Sequence, residues 1–101
     1  MATLEDLASK HKLDLILIFG SQARGEARPA SDMDIAVYGR QIFSETEKIQ
    51  LIYELCDIFH MDDIDVVDLR SAPPLLQKEV ISSYKILFQR APMLLYQLEL
   101  A

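Results

Sequence analysis

Apolar residues recur along this chain at two spacings, and the alternation between them lays out the elements. Residues 3–12 place Leu4, Leu7 and Ala8 on one helical face, with Thr3 as N-cap and Glu5 and Asp6 in a first turn that favours negative charge. Residues 13–19 read Leu-Asp-Leu-Ile-Leu-Ile-Phe, a strand-length apolar run that stops at Gly20, as expected for a strand buried on both faces. Gly20 and Ser21 open a turn, residues 22–26 suit a brief helix ended by Gly25, and residues 28–31 suit a loop. Residues 32–38 alternate, so that Met33, Ile35 and Val37 share one face of a second strand while Asp32 and Asp34 share the other.

Beyond Gly39, Ser44 and Glu47 form a capping-box pair for a helix that runs to Phe59, with Ile49, Ile52, Tyr53, Cys56 and Phe59 expected inside. Residues 64–69 predict a third strand with Asp65 within it. Pro73 and Pro74 start a helix carrying Leu75, Leu76, Val80 and Ile81, which Ser82 and Ser83 end. Residues 84–88 suit a short edge strand, and Pro92 begins an apolar C-terminal segment, 92–101. Strands interleaved with helices predict an α+β fold, an α/β sandwich built on a small mixed sheet.

Length and composition narrow the setting. A chain of 101 residues, half of them apolar and with few glycines and prolines, is expected to fold as a single domain, 1–101. The lone cysteine, Cys56, sits in a helical pattern and suits a reduced, cytoplasmic protein. The sequence has neither a signal-like apolar stretch at its start nor a run of about 18 apolar residues, so secretion and membrane spanning are not expected. A net charge of −6, with Lys10, His11 and Lys12 as the local basic cluster, disfavours a groove for long nucleic acid.

The aspartates carry the chemistry. Aspartate is depleted in strands and costs free energy when buried unpaired, yet Asp32, Asp34 and Asp65 all fall at strand positions. Asp32 and Asp34, at i and i+2, project to one side, and two converging carboxylates favour a hard divalent cation such as Mg²⁺. If the strand of Asp65 lies beside theirs, three carboxylates suffice for two metal ions, the arrangement that serves phosphoryl or nucleotidyl transfer. The plain alternative is that Asp32 caps a turn and the others lie on a solvated strand face.

Gly20 and Ser21, between a buried strand and a short helix, offer a triphosphate close backbone approach, free amides and a hydroxyl, and Arg24 adds a cation one turn later. A simple N-cap and a solvated arginine are the plainer roles for Ser21 and Arg24. Gly20 to Gly25 matches the glycine spacing of a P-loop, but Glu26 and Ala27 replace its Lys and Ser/Thr, so it is not one.

Read together, Gly20-Ser21, the ten residues 22–31 and Asp32-x-Asp34 resemble the signature of the DNA polymerase beta-like nucleotidyltransferase superfamily. Phe-Gly-Ser-Gln-Ala-Arg-Gly-Glu-Ala, Ser-Asp-Met-Asp-Ile-Ala-Val and the later Ile-Asp-Val-Val-Asp-Leu with Pro-Pro-Leu-Leu are similar to its minimal nucleotidyltransferase (MNT) branch. The likeness spans about residues 13–90. It implies the polymerase beta-like fold, a triphosphate held by Gly20 and Ser21, metal ions on Asp32 and Asp34, and Asp65 as the carboxylate that helps activate the acceptor hydroxyl. Asp63, two residues earlier and of the same strand parity, competes for that third place. Gln22 departs from the family, where many relatives carry arginine, which weakens a phosphate contact but leaves the metal site whole.

The resemblance further implies an antitoxin that uses ATP and two Mg²⁺ ions to place AMP on a tyrosine of a HEPN-domain ribonuclease toxin. The acceptor is expected to bring its own surface, since little chain remains beyond Leu69. A binding module that neutralises a partner by contact, and transfer to a small molecule or an RNA 3′ end, are the competing readings. The C-terminal segment, with Met93, Leu94, Leu95, Tyr96, Leu98 and Leu100, either packs on its own core or forms a surface for a partner or a second copy. His11 and His60 are expected at helix C-termini, Cys56 in the core, and Tyr38, Tyr53, Tyr84 and Tyr96 in packing roles.

Overall fold

The computed structural model describes residues 3–20, 33–90, 94 and 96–98. Within them the chain forms α1 (Leu4–His11), β1 (Leu13–Phe19), β2 (Met33–Gly39), α2 (Glu45–Phe59), β3 (Ile64–Asp68), α3 (Pro74–Ser82) and β4 (Tyr84–Gln89). Residues 94 and 96–98 are helical. The brief helix and loop expected at 22–26 and 28–31 lie outside the described residues.

Local signals set the element ends. Thr3 Oγ1 accepts the Asp6 N–H at 3.2 Å while the Asp6 carboxylate accepts the Thr3 N–H at 3.0 Å, so two orphan amides of α1 are satisfied reciprocally. Lys12, at φ 56°, turns the chain out of that helix and into β1. Ser44 Oγ accepts the Glu47 N–H at 3.2 Å to start α2, and His60, at φ 55°, ends it in the left-handed conformation.

The four strands lie in the order β3-β2-β1-β4. β1 pairs antiparallel with β2 and with β4, whereas β2 and β3 run parallel, joined through α2. The sheet is therefore mixed, as expected, and the near-continuous apolar run of β1 follows from its interior place between two strands and two packed faces. On one face, Leu7 and Ala8 of α1 and Leu51 and Leu55 of α2 cover Ile16, Ile35, Val37, Ile64 and Val66. On the other, Val80 and Ile81 of α3, with Leu94 and Leu98, cover Leu15, Leu17, Phe19 and Ala36. Among the described residues no helix is long and apolar enough to cross a membrane.

Three expectations change. α2 buries Leu51 and Leu55, with Ile52, Cys56 and Phe59 at the margin, while Ile49 is 51% and Tyr53 71% exposed. Two apolar stripes share this helix, and the leucine pair at i and i+4 wins the sheet. Leu75, expected inside, is 84% exposed, because α3 docks through Val80 and Ile81 nearer its other end. In the C-terminal segment Leu94 and Leu98 pack against the chain's own core, one of the two alternatives, whereas Tyr96, expected to pack, is 57% exposed.

Asp68 ties these layers together. Its buried carboxylate accepts the Phe43 N–H at 2.9 Å and the Arg70 N–H at 3.0 Å, fixing the approach to α2 and the turn after β3. Asp68→Asn turns one acceptor into a donor facing those amides, and is expected to destabilise the protein by about 1–2 kcal/mol in urea unfolding.

Candidate active site

The strand registers bring the acids together. Phe19 at the end of β1 pairs with Asp34 on β2, and Asp34 pairs in turn with Asp65 on parallel β3. Asp34 has the parity of Ala36 and Tyr38, and Asp65 that of Val67, all on the face covered by α3. Two carboxylates thus stand side by side on neighbouring strands, roughly 4.8 Å apart at the backbone. The register selects Asp65 rather than Asp63 as the neighbour of Asp34; Asp63 precedes β3 and accepts the Met33 N–H through its main chain at 3.4 Å.

Gly20 completes this corner. Its φ of +77° turns the chain off β1, and a Cβ placed there would lie 2.7 Å from Asp34 Oδ2. The carboxylate therefore rests directly against glycine backbone, and any other residue there would be strained at this φ and would push the carboxylate aside. Ser21, Arg24 and Asp32, the other expected site residues, and Gln22 lie outside the described residues.

Asp34 is half-buried and Asp65 exposed. Desolvation, then the charge of Asp65, then that of Glu79 on α3, hold the Asp34 carboxyl above its ordinary value of 3.8. Glu79 had no local sequence signal; it is an exposed residue of an amphipathic helix, and only the docking of α3 over the sheet brings its charge to bear. Arg70 was likewise unforeseen: its guanidinium lies 4.4 Å from the centroid of the Tyr38 ring, and its Nε donates to the Gly39 carbonyl. Tyr38 is thus a packing residue, as expected, with a cation on its face.

Among the described residues no three His, Cys, Asp or Glu side chains form a metal-binding group, and neither Asp34 nor Asp65 has an ion-pair partner. Yet the donor set suits a hard divalent cation: adjacent carboxylate oxygens in a like-charged corner where protonation of Asp34 is already favoured. The same desolvation and repulsion predict a stability effect. Because folding raises the Asp34 pKa, the contribution of this group is full below about pH 3.8 and is lost as pH rises through the folded value. Asp34→Asn is therefore expected to raise the melting temperature of the metal-free protein by a few degrees near ~pH 7, under about 1 kcal/mol given solvent screening, and to leave it unchanged near ~pH 3. Thermal melts in chelator at the two pH values check this.

The polymerase beta nucleotidyltransferase family model matches residues 2–93. The protein adenylyltransferase MntA of Shewanella oneidensis is 36% identical over 77 residues, 76% of this chain and 55% of that protein, so the chain spans about half the length of this relative. A crystal structure of a toxin–antitoxin with AMP-PNP superposes with a TM-score of 0.83 at 29% identity, covering 96% of this chain and 78% of that one. A tri-AMPylated Shewanella oneidensis HEPN toxin in complex with its MNT antitoxin matches with a TM-score of 0.67 at 30% identity, over 86% of this chain and 67% of that one. Register, glycine corner and family model agree, and the chain belongs to the polymerase beta nucleotidyltransferase family.

Proposed function

We propose that this protein transfers AMP from ATP to a tyrosine hydroxyl of a HEPN-type toxin and acts as its antitoxin. The observation that carries the reading is the pairing of Asp34 with Asp65 beside a glycine at positive φ whose replacement would press on the Asp34 carboxylate. The named activity of the Shewanella relative, the AMP-PNP in one matched toxin–antitoxin and the AMPylated toxin in another support the donor and the partner.

In this reading Asp32, Asp34 and Asp65 hold two Mg²⁺ ions. When bound, the metal lowers the cost of charge on the attacking oxygen and on the departing pyrophosphate. Gly20 and Ser21 hold the triphosphate through backbone amides and the serine hydroxyl, and Arg24 adds a charge-assisted contact. The acceptor oxygen attacks the α-phosphorus, the bond from that phosphorus to the bridging oxygen breaks, and pyrophosphate leaves with its electron pair. The proton of the acceptor hydroxyl passes to Asp65. Glu79 on α3 adds negative charge that would strengthen cation binding near Asp34.

Intact mass spectrometry of a HEPN-type toxin, after incubation with this protein, ATP and Mg²⁺, tests the acceptor. Addition of adenylyl groups, mapping to tyrosine and lost in chelator, is the expected result. An unmodified toxin held in a tight, chelator-insensitive complex would instead mean neutralisation by contact.

A further inference from the structure

At the end of the sheet opposite the aspartates, the fold gathers cations. Lys12 leaves α1 in the left-handed conformation, and the first pair of the β1–β2 ladder, Leu13 with Gly39, brings Arg40 alongside it. The Arg40 N–H donates to the Lys12 carbonyl at 3.3 Å, so the two cationic residues lie across from one another. A Cβ on Gly39 would lie 2.9 Å from the Phe43 ring and 3.3 Å from the Lys12 carbonyl, so glycine eases the close approach of the two chain segments.

The result is concave. Lys10, Lys12, Arg40, His11, Phe43 and Glu47, with Gln41, line a pocket of ≈ 240 Å³. One carboxylate, Glu47, belongs to the lining, and a second, Glu54 outside it, holds part of the cationic rim. Glu54 on α2 accepts from Lys10 Nζ at 3.2 Å and pairs with His11 Nε2 at 2.9 Å, and these bonds outweigh desolvation and keep its carboxyl below the ordinary range. Lys10 and the imidazole are thereby held in place, while among the described residues Lys12 and Arg40 have no carboxylate partner. On a chain of net charge −6 this is a place where three of the ten Lys and Arg side chains converge.

We propose that this pocket is a second binding site, for a phosphate-type oxyanion, formed by Lys12 and Arg40 with Lys10 at its edge. Both side chains line the pocket, and a guanidinium fork beside an ammonium suits several phosphate oxygens at once. A small concave pocket fits a compact phosphoanion better than a duplex or an extended strand, which would need a track of many cations. The site is independent of the aspartate corner and does not rest on the proposed transfer reaction.

Pyrophosphate is the probe, titrated into the full chain in chelator so that no metal can carry it to the aspartates, with amide NMR shifts as the readout. Saturable shifts confined to residues 10–12 and 40–43, weakened at least tenfold in the Lys12→Gln, Arg40→Gln double variant and unchanged in Asp34→Asn, are the expected result. Circular dichroism and the retained spectrum elsewhere confirm that the double variant is folded. Shifts centred on residues 19–20 and 33–34, or an affinity untouched by the double variant, would overturn the proposal. So would a polyglutamate peptide or a single-stranded RNA binding the same residues more tightly than pyrophosphate, because either would make the pocket part of a macromolecular interface.

Discussion

Asp34→Asn is expected to lower the rate of nucleotidyl transfer by about three orders of magnitude or more. A metal at the reacting phosphate supplies several kcal/mol of charge stabilisation, and roughly 4 kcal/mol corresponds to a thousandfold. Asparagine keeps the shape of the side chain, so the loss reports charge and coordination rather than packing. Asp65→Asn is expected to cost less, about 10²-fold, because in the proposed mechanism this exposed carboxylate acts only on the acceptor proton. The control lies in the opposing stability effect: Asp34→Asn relieves repulsion from Asp65 and Glu79, so the inactive variant should melt no lower than the wild type. Single-turnover kinetics beside a melt separate the two, and an active Asp34→Asn variant would remove the metal site from the mechanism.

Gly20→Ala is the second large effect, and it reaches the same carboxylate from the other side. An L-residue at φ +77° is strained by about 1–2 kcal/mol, and the new methyl group would sit 2.7 Å from Asp34 Oδ2. Either the turn or the carboxylate must move. Displacement of a reacting group by about 1 Å costs on the order of 10²-fold in rate, so Gly20→Ala is expected to be slow as well as less stable. The two substitutions should not add: once Asp34 is asparagine, Gly20→Ala has little left to disturb in the reaction. A double-mutant cycle in transfer rate checks this, and full additivity would show that Gly20 acts on something other than Asp34.

Much of this arrangement was legible in the sequence where the signal is local. The uninterrupted apolar run 13–19 gave an interior strand, Thr3 and Ser44 marked helix starts through their own side chains, and the parity of Met33, Ile35 and Val37 against Asp34 assigned faces correctly. Asp65 was foreseen as a strand aspartate, but its pairing with Asp34 depends on β2 and β3 lying adjacent and parallel, which no local pattern encodes. The helices were read less well in phase than in extent. Ile49 and Tyr53 make as good an apolar stripe as Leu51 and Leu55, and only the position of the sheet decides between them. Glu79 and the meeting of Lys12 with Arg40 belong to the same class: their significance comes from a partner element distant in sequence.

The central claim is that the transferred group is the nucleotidyl moiety, moved by the aspartate corner. Parallel reactions with ATP labelled at the α-phosphate and at the γ-phosphate, with Mg²⁺ and the partner toxin, test it most directly. The account predicts α-label on the toxin, γ-label only in released pyrophosphate, and neither on the toxin with Asp34→Asn. Label from the γ-phosphate on the toxin, or α-label undiminished by Asp34→Asn, would contradict it.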